Sequence, residues 1–271
     1  MSPEPDGATV LLDVRDGVAT LTLDRPDAGN ALDLPLVQAL HAYAQALAAR
    51  TDVRVVVLRA SGRMFCVGGD LAWMASHEDR EAALKSLADE LHAGLLVLRG
   101  LDAPVVAVVH ATAAGAGLSL AAGADIALAA DSATFVMAYT KVGLSPDGGS
   151  TWLLPRLVGT RRATELMLLN PKLTAAQAQE IGLITRAVPD ADLETEVAAV
   201  VAAVRDGSLA AHGAVKRLLD ASSSATYAEQ LALEASTIAQ LAGGPEGREG
   251  VGAFLERRAA DFAGIRRGIT G

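Results

Sequence analysis

The sequence predicts an α/β core followed by an all-helical C-terminal region, and three observations carry that prediction. Val55-Val56-Val57-Leu58 and Pro104-Val105-Val106-Ala107-Val108-Val109 are continuous apolar runs, the mark of strands buried on both faces. Leu34–Ala49 and Glu81–Leu98 place apolar residues at helical spacing. From Thr160 onward the β signal disappears. Taken in order, strands are expected at Val18–Leu23, Val53–Leu58, Val105–Val109 and Ile126–Ala129, with Thr134–Met137 a weaker fifth. Thr174-Ala175-Ala176-Gln177 and Thr226-Tyr227-Ala228-Glu229 are capping-box patterns that open helices. Gly243-Gly244-Pro245 ends one helix and lets another begin at Glu246. The expected division is a core over residues 1–200 and a helical region over 201–271. A tail this rich in Ala and Leu is expected to pack on something, so oligomerisation is its expected use.

With 271 residues the chain can bury a full core. Its net charge of −9 argues against nucleic acid as a partner, because no basic excess is present to release counterions. A few placed Arg or Lys side chains could still bind a small anion locally. The single cysteine, Cys66, rules out an intrachain disulfide and a thiolate-rich metal site. Met1 to Thr9 is polar and carries Pro3 and Pro5, unlike a signal peptide. No apolar run is long enough to span a membrane. A soluble, cytoplasmic protein is expected.

Three loops could carry chemistry. Ser61-Gly62-Arg63-Met64-Phe65-Cys66-Val67-Gly68-Gly69-Asp70-Leu71 follows a buried strand, and adjacent glycines let backbone N–H groups approach a ligand. A plain strand-to-helix turn would read the same. His110 to Leu120 follows the next buried strand and leads into an apolar helix, whose first N–H groups lack partners. It imitates a dinucleotide fingerprint but puts Leu120 at the third small position, and its turn is too long. Lys141 to Trp152 contains Pro146-Asp147-Gly148-Gly149, where Asp147 is either a turn residue or a placed carboxylate. His41, His77, His92, His110 and His212 form no H-x-x-x-H pair, so no metal site is proposed. Ser119 and Ser145 lack a nucleophile elbow. Cys66 has no flanking cation to activate it and reads as a small apolar filler.

Taken together and in this order, the three loops resemble the crotonase (enoyl-CoA hydratase/isomerase) superfamily. The resemblance runs from about Val10 to Phe262. It includes Val18 to Pro26, Asn30-Ala31-Leu32, Phe65 to Leu71, Pro104 to Gly117, Leu154-Pro155-Arg156-Leu157-Val158-Gly159 and Phe254-Leu255-Glu256-Arg257-Arg258. It implies the crotonase (ClpP-like) fold, a spiral of ββα units, with C-terminal helices that build homotrimers, often stacked as hexamers. It implies an acyl-CoA thioester as substrate and no further cofactor, coenzyme A being part of that substrate. It implies that the backbone N–H groups of Gly69 and Ala116 hold the thioester oxygen as it becomes an enolate. By the same resemblance Arg25, Ala28 and Gly68 contact CoA, and Phe254 and Arg257 reach the CoA of a neighbouring subunit. Ala72 stands where a phosphate-binding lysine is often found.

The chain departs from the hydratase pattern at the acid/base groups. Alignment on Gly115–Gly117 and Asp125 puts Ser119 at the first of the two hydratase glutamates, and counting back from Gly143 puts Tyr139 at the second. Both read as lining the substrate pocket or hydrogen-bonding within it. Asp147 matches the catalytic aspartate of other branches, and the string Pro146 to Arg156 most resembles the epoxyphenylacetyl-CoA isomerase and enoyl-CoA isomerase branch. One carboxylate suffices for a proton shift that moves a double bond. The expected activity is therefore an enoyl-CoA isomerase with Asp147 as base. The alternatives are an enoyl-CoA hydratase, a dehalogenase-like nucleophilic use of Asp147, and a non-catalytic acyl-CoA-binding homologue.

Overall fold

The computed structural model describes residues 9–267. Its strands are β1 (Val10–Arg15), β2 (Val18–Leu23), β3 (Val55–Ala60), β4 (Val105–Val109), β5 (Ala113–Ala114), β6 (Ile126–Ala130), β7 (Thr134–Val136), β8 (Leu173–Thr174) and β9 (Arg186–Val188). The helices of the core are α1 (Leu34–Ala48), α2 (Leu71–Ala75), α3 (Arg80–Gly100), α4 (Ala116–Gly123), α5 (Ser150–Val158), α6 (Thr160–Leu169), α7 (Ala175–Glu180) and α8 (Leu193–Asp206). Beyond them run α9 (Leu209–Ser222), α10 (Tyr227–Gly243), α11 (Pro245–Glu256) and α12 (Phe262–Arg267).

The main sheet has the order β1-β2-β3-β4-β6-β9, and β5, β7 and β8 form a smaller one. Only the β1–β2 hairpin is antiparallel in the main sheet; every later pairing there is parallel. The apolar runs behave as their composition requires. Val56, Leu58, Val105, Ala107 and Val109 face a core shared with α1 and α3, whereas Val55, Val57, Val106 and Val108 face Leu193 and Val197 of α8. Alternate residues of one strand thus bury opposite faces of the sheet. Helices α1 and α3 cross closely because Gly94 has no side chain: a Cβ there would stand 3.1 Å from the His41 Cα.

Both capping boxes form with both of their hydrogen bonds, at Thr174/Gln177 and at Thr226/Glu229. Two expectations need correction. The β signal does not end at Thr160, since β8 pairs with β7 and β9 closes the main sheet beside β6. These strands are two and three residues long, too short to show a period of their own. The division at residue 200 falls inside α8, which is continuous and lies on the sheet. After it, α9 is pinned to the core. Buried Lys216 donates to the Ala103 carbonyl at 3.2 Å and pairs with Asp125 at 2.9 Å, and Arg99 of α3 pairs with Asp220. Among the described residues no helix is long and apolar enough to cross a membrane.

Candidate active site

The parallel strands β3 and β4 deliver the first two loops to the same end of the sheet, and the backbone sews those loops together. Phe65 and Cys66 donate to the Thr112 carbonyl at 3.1 and 3.2 Å, and Ala114 donates to the Cys66 carbonyl at 2.8 Å. Glycine permits this approach. Gly68 has φ +99°, and a Cβ on it would stand 3.0 Å from the Ala114 oxygen and 3.4 Å from the Ala116 nitrogen. At Gly117 a Cβ would overlap the Cys66 carbonyl. Neighbouring amides are used internally: Asp70 N–H binds the Leu32 carbonyl and Gly115 N–H the Val136 carbonyl, each at 2.9 Å. Among the described residues the N–H groups of Gly69 and Ala116 have no acceptor. Ala116 opens α4, so the positive end of that helix adds to the local field.

The third loop brings its carboxylate to the same region. The Asp147 carbonyl accepts from Ser119 Oγ at 3.0 Å and from Ser150 Oγ at 2.9 Å, which fixes the turn against α4 and α5. Tyr139 donates its O–H to Asp147 Oδ1 at 2.5 Å. Burial, and then the adjacent Asp147 charge, hold the Tyr139 phenol far above its ordinary pKa, so it stays a donor. His92 of α3 completes the group: its Nε2 accepts from Gly148 N–H at 3.1 Å and lies 3.7 Å from Asp147 Oδ2. The Asp147 side chain is 27% exposed. It opens on a cavity of about 710 Å³ whose walls include Leu95, Leu120, Leu153 and Trp152.

Ser119, Tyr139 and Asp147 are therefore brought together, and Gly68, Gly69 and Ala116 form the neighbouring backbone cluster. Ala28 lies in the loop beside Val67, whose N–H donates to the Gly29 carbonyl at 3.1 Å. Arg25 turns inward. Its guanidinium binds Asp33 at 3.1 Å, Asp70 at 3.2 Å and the Ala31 carbonyl at 2.5 Å, with 21% of the side chain exposed. Its charge is thus already balanced within the protein. Phe254 and Arg257 lie on and just after α11, which packs mainly on α10 and α12, and Phe254 is 82% exposed. Cys66 is fully buried, and burial pushes its thiol up to about 12, in keeping with a packing role. Sequence reasoning missed His92, which lies 56 residues before Gly148 and carries no motif. It also missed the clamp made by buried Asn30, which donates to the Ser61 and Met64 carbonyls at 2.9 and 2.8 Å.

A tethered carboxylate on an apolar cavity, with two unpartnered amides in the adjoining loops, makes a site suited to stabilising an oxyanion next to a proton transfer. The chain belongs to the enoyl-CoA hydratase/isomerase family, whose profile matches residues 13–265. It is 41% identical over 257 residues to a probable enoyl-CoA hydratase of Rhodobacter capsulatus, covering 94% of this chain and 98% of that one. It is 38% identical over 261 residues to the 1,2-epoxyphenylacetyl-CoA isomerase of Escherichia coli, with the same coverage, 94% and 98%. The crystal structure of an enoyl-CoA hydratase from Mycobacterium smegmatis superimposes with a TM-score of 0.89 at 35% identity, over 96% of this chain and 99% of that one. The crotonase fold expected from the loop order is thus the fold of this protein.

Proposed function

We propose that the protein is an enoyl-CoA isomerase that moves a double bond of an acyl-CoA thioester, with Asp147 as the base. The observation that carries this reading is that Ser119 and Tyr139, which stand at the hydratase glutamate positions, both hydrogen-bond to Asp147. Tyr139 holds the carboxylate itself, and Ser119 the backbone carbonyl of the same residue. In the forward step Asp147 takes the C2 proton of a 3-enoyl thioester, and the C–H electron pair moves into an enolate. The Gly69 and Ala116 N–H groups receive the charge on the thioester oxygen, each donor contributing about 3 kcal/mol. Asp147 then returns the proton at C4, and the double bond lies between C2 and C3. The proton and electron pair balance within the substrate, so the step calls for no further cofactor. Arg25 and Ala28 would border the CoA path with Gly68. Phe254 and Arg257 would serve the site of a neighbouring subunit in a homotrimer or hexamer, for which the exposed Val251, Phe254 and Leu255 of α11 supply apolar surface.

The test is proton NMR of a 3-enoyl-CoA in D2O, alongside a ring-type thioester, with wild type and Asp147→Asn. Double-bond migration that vanishes in the variant supports the proposal; equal rates refute it. The likeness to a relative named as a hydratase favours a second reading, in which water adds across a 2-enoyl thioester. A hydroxyacyl product in the same spectra would select it.

A further inference from the structure

His92 projects from α3 into the turn that carries Asp147, and the geometry there restricts its protonation. A neutral imidazole has one nitrogen that accepts and one that donates. Gly148 N–H points at Nε2 from 3.1 Å, so the lone pair is on Nε2 and the proton on Nδ1. Asp147 Oδ2, at 3.7 Å from that nitrogen, is too distant for a hydrogen bond. Oδ1 is already taken by Tyr139.

We propose that His92, in its neutral Nδ1–H form, is a positioning residue for Asp147: it anchors the Gly148 amide and leaves Oδ2 as the carboxylate oxygen without a donor. This rests on the reading of Asp147 as the base. A proton added at Nε2 would turn the ring into a donor. Gly148 would lose its acceptor, and the new N–H would bind Oδ2, occupying the oxygen that must take the substrate proton. The other charged groups bordering this cavity are already engaged. Arg99, on the same helix, pairs with Asp220 of α9, and Asp125, just before β6, pairs with Lys216 of α9. Asp147 is thus the carboxylate left to answer a charge on His92.

Nitrogen-15 NMR of histidine-labelled protein, with His92 assigned by the His92→Gln variant, reads the tautomer directly and needs no turnover. Nδ1–H at mildly alkaline pH is expected; Nε2–H overturns the proposal. In the double-bond migration assay, His92→Leu should lower kcat by about 10- to 100-fold, the scale of a misplaced catalytic group, with KM little changed. His92→Gln offers an amide oxygen to Gly148. It should keep kcat within about threefold of wild type, restoring what His92→Leu loses. A fully active His92→Leu, or a His92→Gln as impaired as His92→Leu, refutes the positioning role while Asp147→Asn is dead. If Asp147→Asn keeps its activity, the reading of Asp147 as base fails instead, and the tautomer result still decides how the turn is held.

Discussion

The two halves of the site are built by opposite means. Around Gly68, Gly69 and Ala116 the presented groups are backbone amides, and the sequence there is governed by how closely two loops must pass. Around Asp147 the presented groups are side chains, drawn from α3, α4, the turn after β7 and the loop before α5. A backbone donor survives most substitutions, because every residue but proline carries it. What it does not survive is a side chain that pushes the loops apart. A side-chain site has the reverse sensitivity: its fold tolerates change and its chemistry does not.

That contrast is sharpest at Gly117, where the largest effect is expected. Gly117→Ala would drive a methyl into the Cys66 carbonyl, a backbone atom that cannot swing away. Thermal unfolding should show a loss of about 1–3 kcal/mol or more, with activity lost as the loops separate. Asp147→Asn comes next. It should lower kcat by about 10²–10⁴-fold while Tm stays near wild type, the profile of a lost acid/base group in an intact fold. If it instead unfolds the protein, Asp147 serves the turn and the contrast collapses. Tyr139→Phe removes the O–H held by Asp147 Oδ1. A hydrogen bond to a charged partner contributes about 1.5–3 kcal/mol, so roughly a tenfold or greater fall in kcat should appear in steady-state kinetics. Gly69→Ala should alter stability by no more than about 1 kcal/mol, because a Cβ there meets no atom within 4 Å and the amide is retained. The smallest effect concerns Cys66. With burial raising its thiol to about 12, the native protein should resist thiol reagents at pH 8 and react only once denatured, as mass spectrometry would report.

The same contrast explains what could be read in advance. The backbone half was legible as loops able to present N–H groups, because glycines after two buried strands leave a local signature; the choice of Gly68, Gly69 and Ala116 within them came from the family resemblance. Asp147 was legible as a turn residue with a second possible use. Which group Ser119 and Tyr139 would hydrogen-bond was not, since hydrogen bonds across 28 and 8 residues have no pattern in the chain. What the chain does not show at Arg25 is its company: Asp33 and Asp70 reach it from elsewhere and balance its charge. The short strand Arg186–Val188 is a strand because β6 offers it a ladder, and its own composition says little.

By itself, the sequence determined the α/β class, the doubly buried strands, the helix starts and the order of the three loops. Each depends on residues close together, through apolar period, capping chemistry or the conformational freedom of glycine. The tertiary structure alone decided which side chains meet at Asp147, how β9 completes the sheet, and that α8 belongs to the core. Those contacts join residues far apart in the chain, and they form only because burying the two faces of the main sheet brings distant segments together.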